Sequence, residues 1–258
     1  MLLNRGKLLF FDYDGTLSCS DHLPSTRTVN ALNEAKNVGY NIFLCTGRCN
    51  AHIPNINDIK FDGIVASAGA RITIGDELLF ETVLTNEQIT KYLKLAYSKD
   101  LYGALEGRDN LILFGQKPKS DSKFIGLKCI SSPEDYFERF GNEQINKFSL
   151  WCETDMDFLK EGQNDFFVVD HGYASEYIPF GCSKSSGIKR VADYYGLEVA
   201  DTISFGDSFN DLDMLKAAGI GVAMGNAPDV VKASADVVTD SVENDGVAIW
   251  IENNLFKR

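Results

Sequence analysis

Short hydrophobic runs, each followed at once by acidic, glycine or hydroxyl residues, recur along the chain. Clear examples are residues 8–11, 40–45 and 202–205. Their length and their lack of polar interruptions predict strands that are buried on both faces, as in a parallel sheet. Stretches with helical spacing separate them, the first beginning near Ser25 or Thr26 and ending at Gly39. This alternation predicts an α/β fold, a Rossmann-like parallel sheet with helices on both faces.

The pattern changes between residues 84 and 179, where strand-like and helix-like pieces follow one another in no regular order. We interpret this stretch as an α+β domain inserted into the first one. The predicted α/β core then comprises residues 1–83 and 180–258, and the insert comprises residues 84–179. The last run of the insert, 173–179, alternates without a clearly apolar face, which predicts an edge strand.

Composition narrows the class of protein. The apolar fraction of 44% is that of an ordinary globular chain, and no apolar run approaches the roughly 20 residues that cross a bilayer. The first apolar run ends at Asp12, so we expect no signal peptide and a cytoplasmic location. A net charge of −12 argues against nucleic-acid or anionic-membrane partners. The six cysteines include no Cys-x-x-Cys pair and are interpreted as reduced thiols.

The first strand runs directly into Asp12-Tyr13-Asp14-Gly15-Thr16. Catalytic groups of parallel sheets lie at the carboxyl ends of strands, so we expect a site here. The two aspartates are two positions apart and would repel each other unless a cation lies between them, most simply Mg²⁺. Gly15 permits a sharp turn, and the Thr16 hydroxyl and amide could bind an anion. The alternative is an Asp-Gly turn with solvated acids.

Similar polar residues follow the later strands. Thr46 and Gly47 end the second strand, which a βαβ connection would place beside the first, although Thr46 could instead be a helix N-cap. Lys184 begins a helix, where the helix dipole disfavours a cation, so it either reaches an anion or is a solvated surface lysine. Asp207 follows the strand 202–205, and Asp211 lies one helical turn later.

These motifs, in this order and spacing, resemble those of the haloacid dehalogenase (HAD) superfamily. The chain is most similar to its Cof-type sugar-phosphate phosphatases, a group that residues 223–227 also fit, and the insert resembles a type IIB cap. The resemblance implies an Mg²⁺-dependent phosphatase that hydrolyses small phosphorylated metabolites, with sugar phosphates as the main class, through an aspartyl-phosphate intermediate. Tyr13 departs from the aliphatic residue expected between the two aspartates, and we expect only a packing effect.

The resemblance also implies a role for each site residue. Asp12 would be the nucleophile, and Asp14 would be the general acid and base. The metal would be held by Asp12, by the backbone carbonyl of Asp14 and by Asp207. Asp211 would either bind the metal itself or orient the metal ligands from behind. The phosphoryl group would be bound by Thr46, Gly47, Lys184 and Asn210.

Two other functions stay open at this stage. A phosphomannomutase-like isomerase would share the fold and both aspartates. Such an enzyme binds its substrate with several arginines of the cap, whereas the insert contains only Arg108 and Arg139, which favours hydrolysis. A catalytically idle binding protein is the second alternative, and the intact set of acids and lysine disfavours it. Leaving-group contacts are expected near residues 106–108 or 173–177. The sequence does not distinguish among hexose, pentose, nucleotide and cofactor phosphates as substrates. It also does not indicate an oligomeric state.

Overall fold

The computed structural model describes residues 8–19, 23–56, 58–115, 127–151, 155–170, 172 and 174–256. Internal contacts divide the chain into two compact units. The first unit consists of Met1–Gly47, Pro54–Phe80 and Ser183–Arg258, and the second consists of Arg48–Ile53 and Glu81–Cys182. Each unit contains one sheet with its own helices.

The elements in chain order are as follows. The strands are β1 (Leu8–Phe11), β2 (Asn41–Cys45), β3 (Gly63–Ala66), β4 (Arg71–Ile74), β5 (Glu77–Glu81), β6 (Gly103–Gly107), β7 (Leu111–Phe114), β8 (Lys128–Cys129), β9 (Ile145–Leu150), β10 (Phe166–Asp170), β11 (Ser175–Pro179), β12 (Thr202–Gly206), β13 (Ile220–Ala223) and β14 (Val237–Val238). The helices are α1 (Thr26–Asn37), α2 (Asn86–Ser98), α3 (Pro133–Phe140), α4 (Met156–Gly162), α5 (Lys184–Tyr194), α6 (Leu212–Ala217), α7 (Asp229–Lys232) and α8 (Gly246–Asn254).

The sheet of the first unit has the strand order β14-β13-β12-β1-β2-β3-β4-β5. It is parallel from β14 to β3, and β4 then runs antiparallel to β3. β1 pairs with β2, to which α1 connects it, and with β12, which follows much later in the chain. The predicted neighbourhood of the first two strands is therefore confirmed.

Helices cover both faces of this sheet. Phe10 stacks on Phe43 and belongs to a core cluster that includes residues of α5 and α6, such as Ile188 and Met214. The next residue, Phe11, points to the opposite face by strand alternation and stacks on Phe205. Phe205 in turn meets the Trp250 ring of α8 edge-on. The predicted Rossmann-like α/β arrangement is confirmed.

The sheet of the second unit has the order β10-β11-β9-β6-β7-β8 and packs one face against its helices. Phe148 and Tyr177 on neighbouring strands stack with ring centroids 4.4 Å apart. Tyr92 of α2 and Phe158 of α4 close over them in the same buried cluster. Aromatic rings thus supply much of the apolar area that holds this smaller unit together.

One predicted feature of the insert is wrong. The strand expected at an edge, β11, lies inside the sheet, hydrogen-bonded to β10 on one side and to β9 on the other. The weak pattern of this strand has a specific cause. Tyr177 enters the aromatic core, while the partly buried Glu176 on the other face pairs with Lys147. In the sequence, a glutamate in a strand suggests a solvent-exposed face, because the lysine that compensates its charge lies elsewhere in the chain. Tyr173 lies outside the described residues.

Two further properties bear on the class of protein. No helix among the described residues is long and apolar enough to cross a membrane. Within the same residues, five cysteines have free thiols: Cys19, Cys45, Cys49, Cys129 and Cys182.

Candidate active site

Three neighbouring strand ends bring the predicted chemistry to one edge of the first sheet. Asp12 follows β1, Thr46 follows β2 and Asp207 follows β12, the strands on either side of β1. The backbone ladder continues one residue past the strands, since the Asp12 amide donates to the Phe205 carbonyl at 3.0 Å and the Thr46 amide to the Val65 carbonyl at 2.8 Å. These hydrogen bonds fix the backbone of Asp12 and of Thr46, and therefore the points from which the two side chains extend.

Lys184 is a buried cation held between two acids. Its Nζ lies 2.6 Å from Asp12 Oδ1 and 2.6 Å from Asp211 Oδ1, and its side chain is only 1% exposed. It also donates to Asn210 Oδ1 at 3.4 Å. Ser183 caps the helix that Lys184 begins, and its hydroxyl accepts from the Ser186 amide. The alternative of a solvated surface lysine is therefore wrong.

Three carboxylates meet at this lysine. Oxygen atoms of Asp12, Asp207 and Asp211 lie within 4.8 Å of one another, and the first and third of these residues are buried. With one ammonium beside them, two negative charges stay uncompensated, the deficit that a divalent cation would balance. Asp14 is exposed, and its carboxylate is not part of this group. The donor set fits a hard cation with oxygen ligands.

The shifted pKa values follow from this crowding. Burial raises the pKa of Asp12 well above its ordinary value, Lys184 lowers it, and Asp211 and Asp207 raise it further. Burial, and then Asp211, raise the pKa of Asp207 to about 7, against the lowering effect of Thr16 and Lys184. Burial alone would lower the pKa of Lys184, but Asp12 and Asp211 raise it well above its ordinary value. The lysine therefore stays charged, and a protein without metal would retain a proton on the acids.

Hydrogen bonds from the loops orient the acids. Asp211 Oδ2 accepts from the amides of Asp207 and Ser208, each at 2.9 Å. The Thr16 hydroxyl donates to Asp207 Oδ1 at 3.0 Å. We expected Thr16 to bind an anion, and its hydroxyl instead positions a carboxylate.

Asn226 is a site residue that sequence reasoning missed. Its Nδ2 donates to the Gly15 carbonyl at 2.9 Å and lies 3.5 Å from Asp207 Oδ2. Its Oδ1 accepts from the Val242 amide at 3.0 Å. In the sequence it stands only in a Gly-Asn-Ala-Pro turn before a helix, and nothing in that turn indicates its distant partners.

The close approach of the loops requires glycine at two positions. A Cβ on Gly15, where φ is +81°, would lie 2.2 Å from Asp207 Oδ2. A Cβ on Gly206 would lie 2.6 Å from the Asp211 Cβ. Both contacts are far shorter than van der Waals distance, so these glycines make room for the carboxylates.

Thr46 is 1% exposed, and its carbonyl accepts from the Ala68 amide at 3.1 Å. The following 3₁₀ turn, Asn50–His52, begins after Cys49, so Thr46 is not its N-cap. The Thr46 amide is committed to the sheet through the Val65 carbonyl. Tyr13 is buried at 2% exposure, consistent with packing.

Comparisons with known proteins agree with this geometry. A candidate phosphatase from Haemophilus influenzae is 44% identical over 259 residues, which cover 96% of this chain and 98% of that one. A Bacillus subtilis 5-amino-6-(5-phospho-D-ribitylamino)uracil phosphatase is 27% identical over 280 residues, with 96% and 98% covered. Among solved structures, a HAD subclass IIB sugar phosphatase superposes with a TM-score of 0.81 at 28% identity, covering 96% of this chain and 98% of that one.

The family model described as haloacid dehalogenase-like hydrolase matches residues 9–251. That span includes every residue of the candidate site and nearly the whole chain. The phosphatase relatives also agree with its hydrolytic chemistry. The chain therefore belongs to the haloacid dehalogenase-like hydrolase family.

Proposed function

We propose that this protein is an Mg²⁺-dependent phosphatase that transfers the phosphoryl group of a small phosphorylated metabolite to Asp12 and then to water. The observation that carries the proposal is the buried contact of Lys184 with Asp12 and Asp211, next to Asp207. A carboxylate cannot approach a phosphate dianion unless positive charge surrounds both.

The metal would be held by Asp12, Asp207 and Asp211, together with the backbone carbonyl of Asp14. When bound, Mg²⁺ would supply charge that offsets the phosphoryl oxygens and the attacking carboxylate. Every other role in the proposal belongs to the chain itself.

Asp12 is the proposed nucleophile because it is fixed by the β-ladder and polarised by Lys184. Lys184, Asn210, the Thr46 hydroxyl and the Gly47 amide hold the phosphoryl oxygens. Asp14 protonates the leaving alcohol and then takes a proton from the attacking water. Its exposed carboxylate can exchange protons with solvent between these steps.

The second unit is the proposed cap, of type IIB, and we retain residues 84–179 as its extent. Its chemistry favours hydrolysis over phosphosugar isomerisation. The guanidinium of Arg108 pairs with Asp109, and that of Arg139 pairs with Asp135. Neither arginine therefore has its charge fully available for a second phosphate-binding role.

The relatives point to a substrate class. One acts on a sugar phosphate and another on a phosphorylated ribityl chain, so both have polyhydroxylated leaving groups. We propose sugar or polyol monophosphates as substrates of this protein.

The test is phosphate release from a panel of phosphorylated metabolites, with Mg²⁺ and with a chelator. We expect release from sugar or polyol monophosphates that stops when metal is removed. Metal-independent release, or no release from any ester, would contradict the proposal. Isomerisation of a hexose phosphate without phosphate release would identify a mutase.

A further inference from the structure

One loop of the first unit holds a backbone conformation that ordinary residues rarely adopt. The turn Ser67–Gly69, which we call the β3 turn, directly follows β3 and is buried throughout. Its three residues all have positive φ, which is +50°, +50° and +89° in chain order. Glycine reaches this left-handed region easily, but a residue with a Cβ is strained there. Ser67 and Ala68 therefore hold the chain in an unfavourable shape.

The Ser67 side chain adds a second cost at the same place. It is 0% exposed, and its Oγ has no hydrogen-bond partner in the part of the chain that the structure describes. A buried hydroxyl without a partner destabilises the folded state, because in the unfolded chain it would bond to water. Stability therefore does not explain the β3 turn. Backbone strain of this kind is typically retained where it serves a functional site.

The β3 turn is hydrogen-bonded to the end of the neighbouring strand β2. The Ala68 amide donates to the Thr46 carbonyl at 3.1 Å. The Ala70 amide donates to the Ser67 carbonyl, also at 3.1 Å, and so closes the turn itself. The conformation of the turn therefore bears directly on the backbone of Thr46, a residue that we assign to phosphoryl binding.

Another part of the β3 turn lies against the start of α5. A Cβ on Gly69 would lie only 2.2 Å from the Ser183 carbonyl oxygen and 3.1 Å from the Ser183 nitrogen. Glycine thus lets the two backbones touch at the residue immediately before Lys184. Further along the helix, a Cβ on Gly187 would lie 2.4 Å from Val65 Cγ1 and 3.6 Å from the Gly69 Cα. The first turn of α5 is therefore packed directly on the β3 turn and on β3.

We propose that the β3 turn is a positioning element for phosphoryl transfer, which sets the spacing between Thr46 on β2 and Lys184 on α5. This inference rests on the proposed phosphatase function. The turn acts through these two residues and is not itself catalytic. A misplacement of about 1 Å in a catalytic group can lower a rate by about 100-fold, so a rigid connection between the two groups matters. Residues with a Cβ restrict the backbone of such a connection, whereas glycine would let it vary.

The test uses two substitutions in the β3 turn that should change stability in opposite directions. Ala68→Gly relieves the strain, so the urea midpoint of unfolding should stay the same or rise. Gly69→Ala adds a Cβ against Ser183, so the urea midpoint should fall.

Both substitutions should nevertheless lower kcat, measured with an aryl phosphate and with a sugar phosphate. We expect a loss of about 3- to 10-fold for Ala68→Gly and of about 10- to 100-fold for Gly69→Ala. KM should change by less than about threefold, because the spacing matters most in the transition state. If the turn served stability alone, activity would follow stability, and Ala68→Gly would be fully active.

Each substitution has a matched control with the same backbone change elsewhere. Gly196→Ala adds a Cβ where φ is +66°, just beyond the other end of α5, and no described residue other than its chain neighbours lies within 4 Å of the added carbon. Asp100→Gly relieves an exposed left-handed residue with a φ of +51° in the second unit. Each control should change the urea midpoint in the same direction as its counterpart, while kcat stays within about twofold of wild type.

The outcomes separate the hypotheses. If the wild-type protein hydrolyses no ester, the proposed function itself fails. If it hydrolyses the esters and Ala68→Gly keeps the wild-type kcat, or Gly69→Ala is as active as Gly196→Ala, the positioning role is overturned and the phosphatase stands. If Gly69→Ala does not fold, the comparison of Ala68→Gly with Asp100→Gly decides.

Discussion

Lys184 Nζ lies 2.6 Å from Asp12 Oδ1, although 172 positions separate the two residues in the chain. The contact joins the end of β1 to the first residue of α5. The same ammonium is also 2.6 Å from Asp211 Oδ1. One buried cation thus ties the proposed nucleophile to the loop after β12, and several expectations depend on this arrangement.

Removal of the nucleophile should abolish turnover without unfolding the protein. For Asp12→Asn we expect kcat to fall by about 10⁴-fold or more, because no other side chain can form the covalent intermediate. The fold should persist, since a buried neutral amide avoids the desolvation cost of the carboxylate. Steady-state kinetics and a thermal melt check the two parts. Asp193→Asn, at an exposed pair with Lys189, is the control and should remain active.

Loss of the buried ammonium should affect both stability and activity. Lys184→Met leaves Asp12 and Asp211 buried without their cation, which costs about 3–5 kcal/mol of unfolding free energy in metal-free protein at neutral pH. Urea titration measures this change. Mg²⁺ should recover part of the stability but not the activity. A variant as stable as the wild type at pH 7.5 without metal would contradict the account.

Metal-free protein should lose stability as the pH rises from about 4 to 7. Asp207 has a pKa of about 7 when folded, against an ordinary value of 3.8. Between these values the folded state holds a proton that the unfolded chain has released, so the free energy of unfolding falls with rising pH. We expect a loss of roughly 2–4 kcal/mol from this group. Thermal melts in chelator check it, and Asp207→Asn should remove the effect.

The same proton should compete with the metal. Below pH 7, the apparent Mg²⁺ affinity should fall by up to about tenfold per pH unit, because the ligand must be deprotonated. Titration calorimetry at pH 6.0, 7.0 and 8.0, in buffers of matched ionic strength, measures the trend. An affinity that does not depend on pH would show that Asp207 is not a ligand.

Gly15→Ala should disrupt the acid group specifically. Its Cβ would meet Asp207 Oδ2, and φ is +81°. Gly39→Ala is a matched control, because φ there is +99° and nothing lies within 4 Å of the added carbon. Both should lose about 1 kcal/mol or somewhat more of stability through backbone strain. Only Gly15→Ala should lose metal affinity and activity. Equal activity in the two variants would contradict the proposed geometry.

Much of the first unit could be predicted from sequence because its signals are local. An apolar run that leads to Asp12 or Asp207 identifies a strand. It also identifies the carboxyl end of that strand, where the catalytic groups of a parallel sheet lie. The position of Lys184 at a helix start is unusual for a cation, but its role is implied by the family resemblance and not by that position. The partners of Thr16 and Asn226 could not be predicted, since both contact Asp207 across more than fifteen residues of chain.

The second unit was harder to predict for a physical reason. The apolar alternation of β11 is hidden by Glu176, whose charge is compensated by Lys147 on a neighbouring strand. Sequence reasoning singled out the regions of Glu106 and Glu176 but assigned no role to Lys147. The lysine that joins them follows an asparagine in β9, and no local pattern distinguishes it from a surface residue.

The central claim is that Asp12 carries the phosphoryl group, and trapping that intermediate tests it most directly. Asp14→Asn should slow hydrolysis of the intermediate, while an aryl phosphate, whose leaving group needs no acid, can still react. We predict that acid quenching followed by peptide mass spectrometry finds one added phosphoryl group on the peptide containing Asp12. The label should be released by hydroxylamine and absent in Asp12→Asn. Product formation with no label on that peptide, or with the label on another residue, would contradict the mechanism.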